Sequence, residues 1–551
     1  MQPFQIFRIC RAFTTALLIA LVTALLGVAT GCQPPFTGVL TFHNDSARDG
    51  VNSLETTLTP ANVNATDFGK VFSFPVDGDV YAQPLYVPTL TIPSNGIHNV
   101  LYVATEHDSV YAFDADGLSN TPLWQTSFID PANGITTVPS EDTGSNDIFP
   151  EVGITGTPVI DRTSNTLYVV DVTKNSQNMQ NPIYQWNLHA LDLTTGAEKF
   201  GGPVLINPTL YGTSGGTFDA LTEGQRSALL VTNGVVYVPF ASHGSVPPYH
   251  GLLLAFSASN LNQLGVFDVT PDGTDGGIWE CGNGASTDAS GSIYVATGNG
   301  SFDQNADGVP VDLGDSAISL SFSPSSGLFS LNTYFTPWNQ AVLQTQDIDL
   351  GDSGLVLLPD QTVGPVHLGV VVGKDGNIYL LNRDNMGGYN TASMDNSNIV
   401  QEVAGALSGQ GRAVPAFFNQ TLYYAADNYF LKGFTLSAGK FPASANLHSS
   451  MTFGYPGTSP SVSSNGNQNA IVWTLMIGAY EPSTPAILYA FDTHLNELYD
   501  TTQAPLNRDQ PGDAVKFTTP TIANGRVYVG TQTEVDVYGL LPAGGAVKRE
   551  P

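Results

Sequence analysis

The sequence predicts an all-β chain folded as an eight-bladed β-propeller of four-stranded antiparallel blades, and three observations lead there. One hairpin pattern recurs along the chain. In NVLYVATEHDSVYAFDADG (99–117) apolar and polar residues alternate, a short polar turn intervenes, alternation resumes, and Asp114 to Gly117 supply turn chemistry. Comparable hairpins occur at 166–196, 235–259, 292–327, 367–385, 421–439, 470–492 and 526–540, eight in all. Their spacing of roughly 50–60 residues is that of radial repetition, in which each small sheet stacks on its neighbours to bury both faces. The two ends of the chain also complement each other. The last repeat has three strands before the propeller ends at Leu541, while an unassigned strand, FGKVFSFPV (68–76), precedes the first full repeat. That N-terminal strand is expected to complete the eighth blade.

Within a repeat, an inner strand often opens after a proline, as at Pro84, Pro158, Pro415, Pro460 and Pro520. Proline is tolerated where a strand begins, because no ladder N–H is needed there. A fourth strand follows most hairpins, for example 122–128. Only 12% of residues are charged, Gly and Thr are plentiful, and no heptad or long amphipathic run competes with the strand reading.

Residues 1–31 read as an export signal rather than fold. Arg8 and Arg11 form a positive start, Phe13 to Val28 is apolar, and Ala29-Thr30-Gly31 places small residues before Cys32. The order Ala-Thr-Gly-Cys is similar to a bacterial lipobox with Ala29 in place of its usual leucine, so lipidation of Cys32 and ordinary cleavage nearby are both open. Residues 32–67 read as a linker and lead-in arm in which Arg48 and Asp49 could pack on the ring, 68–541 as the propeller, and 542–551 as a flexible tail.

The chain carries 18 basic against 48 acidic side chains, for a net charge of −30. That balance disfavours nucleic acid and anionic lipid, leaving a lipid anchor as the one membrane attachment. Of three cysteines, Cys10 lies in the leader and Cys32 at its end, so Cys281 is alone and no intradomain disulfide is expected. Cys281 reads as a small buried hydrophobe.

A propeller collects ligands at one mouth of its central channel. The loops converging there carry Gln83, Glu106, His107, Glu151, Arg226, His243, Trp279, Glu280, Asn299, Lys374, Arg412 and Asp427. At this point the chain resembles the pyrroloquinoline quinone (PQQ) propeller superfamily, through its Leu-Tyr-Val and YAFDA phrases and LDLTTGAEKF (191–200). Gly276-Gly277-Ile278-Trp279 is similar to the segment whose tryptophan stacks on the quinone in quinoprotein alcohol dehydrogenases. Ala296-Thr297-Gly298-Asn299 resembles the segment whose asparagine ligates calcium. The stretch from Phe335 to Asp349 resembles the one bearing the catalytic aspartate, which would be Asp347 or Asp349. Gly373-Lys374-Asp375-Gly376 resembles a segment whose lysine contacts the quinone, and Arg412 is a further candidate quinone contact. Two features depart from the pattern: there is no vicinal cysteine pair, and His243 to Pro248 holds no carboxylate where a calcium-ligating glutamate is expected. No haem-attachment motif is present.

Asp303-Gln304-Asn305-Ala306-Asp307-Gly308 opens like a calcium loop, with oxygen donors at alternate positions and glycine at the turn. Its twelfth position is Gly314, so a structural Ca²⁺ site and a plain acidic turn are both open. The leading expectation is an exported, non-catalytic, monomeric propeller that binds or scaffolds a protein or polysaccharide partner in the bacterial envelope, as a periplasmic or outer-membrane lipoprotein or a secreted protein. The alternative is a PQQ- and Ca²⁺-dependent dehydrogenase of alcohols or sugars. In it Trp279, Lys374 and Arg412 hold the quinone, Asn299 holds calcium and Asp347 or Asp349 takes the hydroxyl proton.

Overall fold

The computed structural model describes residues 36–212, 217–305, 308–478 and 484–542. The leader, Cys32 and Asp307 lie outside them. Among the described residues eight blade sheets, antiparallel in their four principal strands, follow one another along the chain. Blade one consists of Leu85–Ile92, Gly96–Ala104, Ser109–Asp114 and Trp124–Ser127, from the channel outward. Blades two to seven occupy 159–206, 230–268, 286–336, 356–403, 416–453 and 461–500. Blade eight contributes Thr521–Ala523, Arg526–Gly530 and Glu534–Leu540, and its outer strand is Phe68–Pro75, paired antiparallel with Glu534–Leu540 from Phe68↔Leu540 to Pro75↔Glu534. The ring is therefore closed by hydrogen bonds between the two ends of the propeller.

Period-two alternation places successive side chains on opposite blade faces. Val370 and Val372 join Leu422, Tyr424 and Phe434 of blade six. Val371, between them, joins Tyr294, Ala296 and Phe335 of blade four. The recurrent Leu-Tyr-Val phrase has a second physical reason: its tyrosine ties one blade to the next. Tyr102 donates to the Leu193 carbonyl (2.8 Å), Tyr168 to Ala258 (2.5 Å), Tyr423 to Thr493 (3.0 Å) and Tyr528 to Ala115 (3.1 Å). The last of these joins blade eight to blade one.

The lead-in arm does more than cap the ring. Val39 pairs with Tyr86 of blade one, and the Leu40 carbonyl accepts the Ile160 N–H of blade two. Arg48 donates to Leu229 and Ala285, at the starts of the inner strands of blades three and four. The carbonyls of Ala47, Asp49 and Gly50 accept from Leu357, Phe417 and Val462 of blades five, six and seven. Val51–Asn52 then runs parallel to Val462–Ser463, and the Asn52 side chain donates to Ile522 of blade eight. The arm thus meets all eight inner strands in order and satisfies backbone groups that would otherwise face the channel unpaired. Arg48 is fully buried, with donors also on Thr41 and Phe42.

Candidate ligand-binding mouth

The segments that enter each inner strand, together with the turns between second and third strands, bring the expected residues to one mouth. Trp279 is 7% exposed and packs on Ala241 and edge-on to Tyr249, with ring centroids 6.2 Å apart. The glycines around it are required by close approach. A Cβ on Gly277 would lie 2.7 Å from the Trp279 indole nitrogen, and one on Gly298 would lie 2.8 Å from Trp279 Cδ1 and 2.4 Å from Asp349 Oδ1. Gly298 therefore lets the Asn299 segment lie between the indole and Asp349.

Asn299 donates its backbone N–H to Asp349 (2.7 Å) and its side-chain amide to Asp347 (2.9 Å). Asn299 Oδ1 is buried without a hydrogen-bond partner. The Lys374 ammonium bonds directly to Asp349 Oδ2 and lies 3.8 Å from Asp347 and 3.7 Å from Asp352. Arg412 Nη1 stands 3.8 Å from Asp352. Burial opposes the charge on Lys374, yet Asp352 and Asp349 raise its pKa above the ordinary lysine value, while burial pushes Asp352 up to about 6. Trp279, Asn299, Asp347, Asp349, Lys374 and Arg412 are thus brought together.

A second cluster was not anticipated from the sequence. Asp147, in a long connection between blades one and two, accepts from Arg226 (3.1 Å) and Lys516 (2.5 Å). Arg226 also stacks on Phe517, 3.9 Å from the ring centroid. Burial works against the Asp147 charge, but the two cations hold its pKa below the usual carboxylate value. A signal for Lys516 exists in the repeat: like Arg412 and Arg226, it sits a few residues before an inner strand. Arg226, Lys374, Arg412 and Lys516 all act electrostatically on Cys281, which is 4% exposed beside Phe42 of the arm. A strongly acidic protein has gathered four of its basic side chains at one mouth. Burial raises the Cys281 pKa, consistent with an inert thiol.

Other expected mouth residues have local partners. Gln83 is buried and accepts from the His43 backbone N–H, His107 bonds Glu151, Glu280 accepts from Ala296, and Asp427 accepts from Gln410. His243 stacks against Trp186, and burial lowers its pKa to about 4. Asp303 lies in a hairpin of Phe302–Gln304 with Pro310–Leu313, where it accepts the Asp312 N–H, and Asn305 closes the turn of that hairpin.

No family model and no curated protein matches the chain. Solved structures do. The quinohemoprotein alcohol dehydrogenase from Comamonas testosteroni superposes with a TM-score of 0.58 at 15% identity, covering 94% of this chain and 82% of that one. A europium-containing methanol dehydrogenase gives 0.57 at 14% identity, covering 92% and 99%. The fold is that of the quinoprotein dehydrogenases. At these identities the likeness is one of fold, and the site must be judged on its own residues.

Judged so, calcium does not fit. Asn299 Oδ1 is a suitable donor, but the carboxylates beside it already surround the Lys374 ammonium. Among the described residues no three His, Cys, Asp or Glu side chains form a metal-holding group. Trp279 offers an indole, and Arg226, Arg412 and Lys516 offer cations, of which Arg226 and Lys516 are already paired with Asp147. The cleft lined by Asp147, Ile148, Arg226, His243 and Trp279 has about 20 Å³ of free space, which is room for one water.

Proposed function

We propose that the chain is a non-catalytic binding propeller, exported to the bacterial envelope, whose mouth takes a small anionic aromatic molecule. The observation that carries this reading is the Lys374 ammonium among Asp347, Asp349 and Asp352. The Lys374 ammonium already neutralises the carboxylates beside Asn299, and it holds Asp349 in an ion pair instead of leaving it as a free base. Four basic side chains gathered at one mouth of a chain of net charge −30 support an anionic ligand, which would compete for them with the carboxylates of Asp147, Asp347, Asp349 and Asp352. Export is supported by Arg8, Arg11, the apolar run to Val28 and the small residues before Cys32. The fold itself suits such a role, because blade stacking carries stability independently of the loops.

The competing reading is a quinoprotein dehydrogenase, favoured by the convergence of Trp279, Asn299, Asp349 and Lys374. A dye-linked oxidation assay separates the two. The mature protein, incubated with PQQ and Ca²⁺ and offered primary alcohols and aldoses, is expected to show no turnover above the protein-free control. Turnover that saturates with substrate and is abolished in Asp349→Asn would establish the dehydrogenase.

A further inference from the structure

The connection between blades one and two contains an excursion at 140–150. Its base is closed by the Ser140 N–H and hydroxyl, both donating to the Pro150 carbonyl (3.1 and 3.0 Å). Below that base the chain is anchored in sheet, Ile135–Pro139 against Thr173–Asn175 and Glu151–Val152 against Val138–Pro139. Above it little apolar surface is buried. Thr143 and Ile148 are covered, whereas Phe149 is 59% exposed and Glu141, Gly144 and Asn146 face solvent. The excursion is tied down by two acidic side chains, Asp142 on Lys174 (2.5 Å) and Asp147 on Arg226 and Lys516. A segment held by few apolar contacts and mainly by ion pairs opens at a cost set by those pairs, and a ligand carboxylate that takes the place of Asp147 between the same two cations repays it.

What Asp147 touches matters more than how the loop is held. Its carboxylate lies between two mouth cations, with one oxygen on each, as a ligand carboxylate would. Lys516 is 2% exposed and Arg226 12%. Arg226 Nη2 is buried and has no hydrogen-bond partner, so a donor remains for a second acceptor. The same excursion, through Asp147 and Ile148, walls the cleft over Trp279 and leaves it one water wide.

We infer that the 140–150 excursion is a lid and Asp147 its built-in pseudo-ligand, a carboxylate that occupies the anion site until an anionic ligand displaces it. This rests on the mouth being an anion-binding site. It adds a regulated entrance: binding competes with an internal carboxylate, and the apparent affinity is the intrinsic affinity multiplied by the fraction of time the lid is open.

The test uses the mature protein and PQQ as the probe, read by quenching of tryptophan fluorescence. Asp147→Asn keeps the shape of the side chain and removes its charge, so it is expected to bind PQQ about tenfold more tightly than wild type. In wild type, saturating PQQ is expected to speed hydrogen exchange of amides 141–149, because the lid leaves the cations it was holding. If wild type binds PQQ and Asp147→Asn binds it no more tightly, the lid is refuted and the mouth site stands. If neither protein binds, the mouth site is refuted and the lid with it. Exchange of 141–149 that is unchanged or slower in the wild-type complex refutes the lid without recourse to the variant.

Discussion

The ammonium of Lys374 and the carboxylate of Asp349 form a direct ion pair in which the lysine is 7% and the aspartate 5% exposed, 25 residues apart in sequence. Asp352 adds a second buried negative charge 3.7 Å from the same nitrogen. Removing the lysine leaves two buried carboxylates without their cation. Lys374→Met is expected to cost on the order of 3–5 kcal/mol in chemical denaturation. The double variant Lys374→Met/Asp349→Asn should recover part of that loss, and equal stability of the two proteins would contradict the pairing.

The arm makes a comparable prediction at the centre of the ring. Arg48 is buried with five donated hydrogen bonds, to Thr41, Phe42, Leu229 and twice to Ala285, and so joins the arm to blades three and four. Arg48→Met leaves those acceptors unsatisfied, and a loss of about 3 kcal/mol or more is expected by urea denaturation. A loss under about 0.5 kcal/mol would mean the arm is a passive cap.

Inter-blade tyrosines give a smaller, graded effect. Tyr168→Phe and Tyr528→Phe each remove one buried hydroxyl donor while keeping the ring, for an expected loss of about 1 kcal/mol each. Because the two sites lie in different blade pairs, their effects should add in the double variant.

Stability should fall as pH rises from about 6.5 to 9, above the range in which His43 and His243, both lowered to about 4 by burial, contribute with the opposite sign. Burial raises Glu106 and Glu280 to about 8, and His189, despite its burial, is raised to about 9 by Asp171 and Glu198. All three bind protons more tightly folded than unfolded. The carboxyl contributions are complete below the ordinary glutamate pKa and disappear as pH passes about 8; that of His189 is complete below about 6.5 and disappears as pH passes about 9. Thermal melts at pH 6.5, 7.5 and 8.5 check the sign, and Glu106→Gln should flatten the profile. A melting temperature that climbs over this range would contradict the assignment.

Much of the fold was legible because its signals are local. Alternation around Leu101-Tyr102-Val103 and its counterparts marks strands, and the three-strand last repeat required an outer strand that Phe68–Pro75 supplies. The arm was not legible in the same way. Residues 39–52 pair with eight different strands one or two bonds at a time, so no periodicity records what they do. Trp279, Asn299 and Lys374 stood in recognisable phrases, with glycines that Gly277 and Gly298 now explain by close approach. Asp147 and Lys516 are 369 residues apart and meet only because the ring closes, so neither carries a local signature of its partner. The Lys374 ammonium could be placed among carboxylates only by how the connection between blades four and five folds onto the turn after Val372.

The most direct test of the mouth is the dissociation constant for PQQ, measured by tryptophan quenching first in excess EDTA and then in excess Ca²⁺. With the Lys374 ammonium already neutralising Asp349, the two values should coincide, and Arg412→Met should weaken both by about tenfold. Binding that appears only with calcium, and is lost in Asn299→Ala, would contradict the account and place a divalent cation beside Asp349.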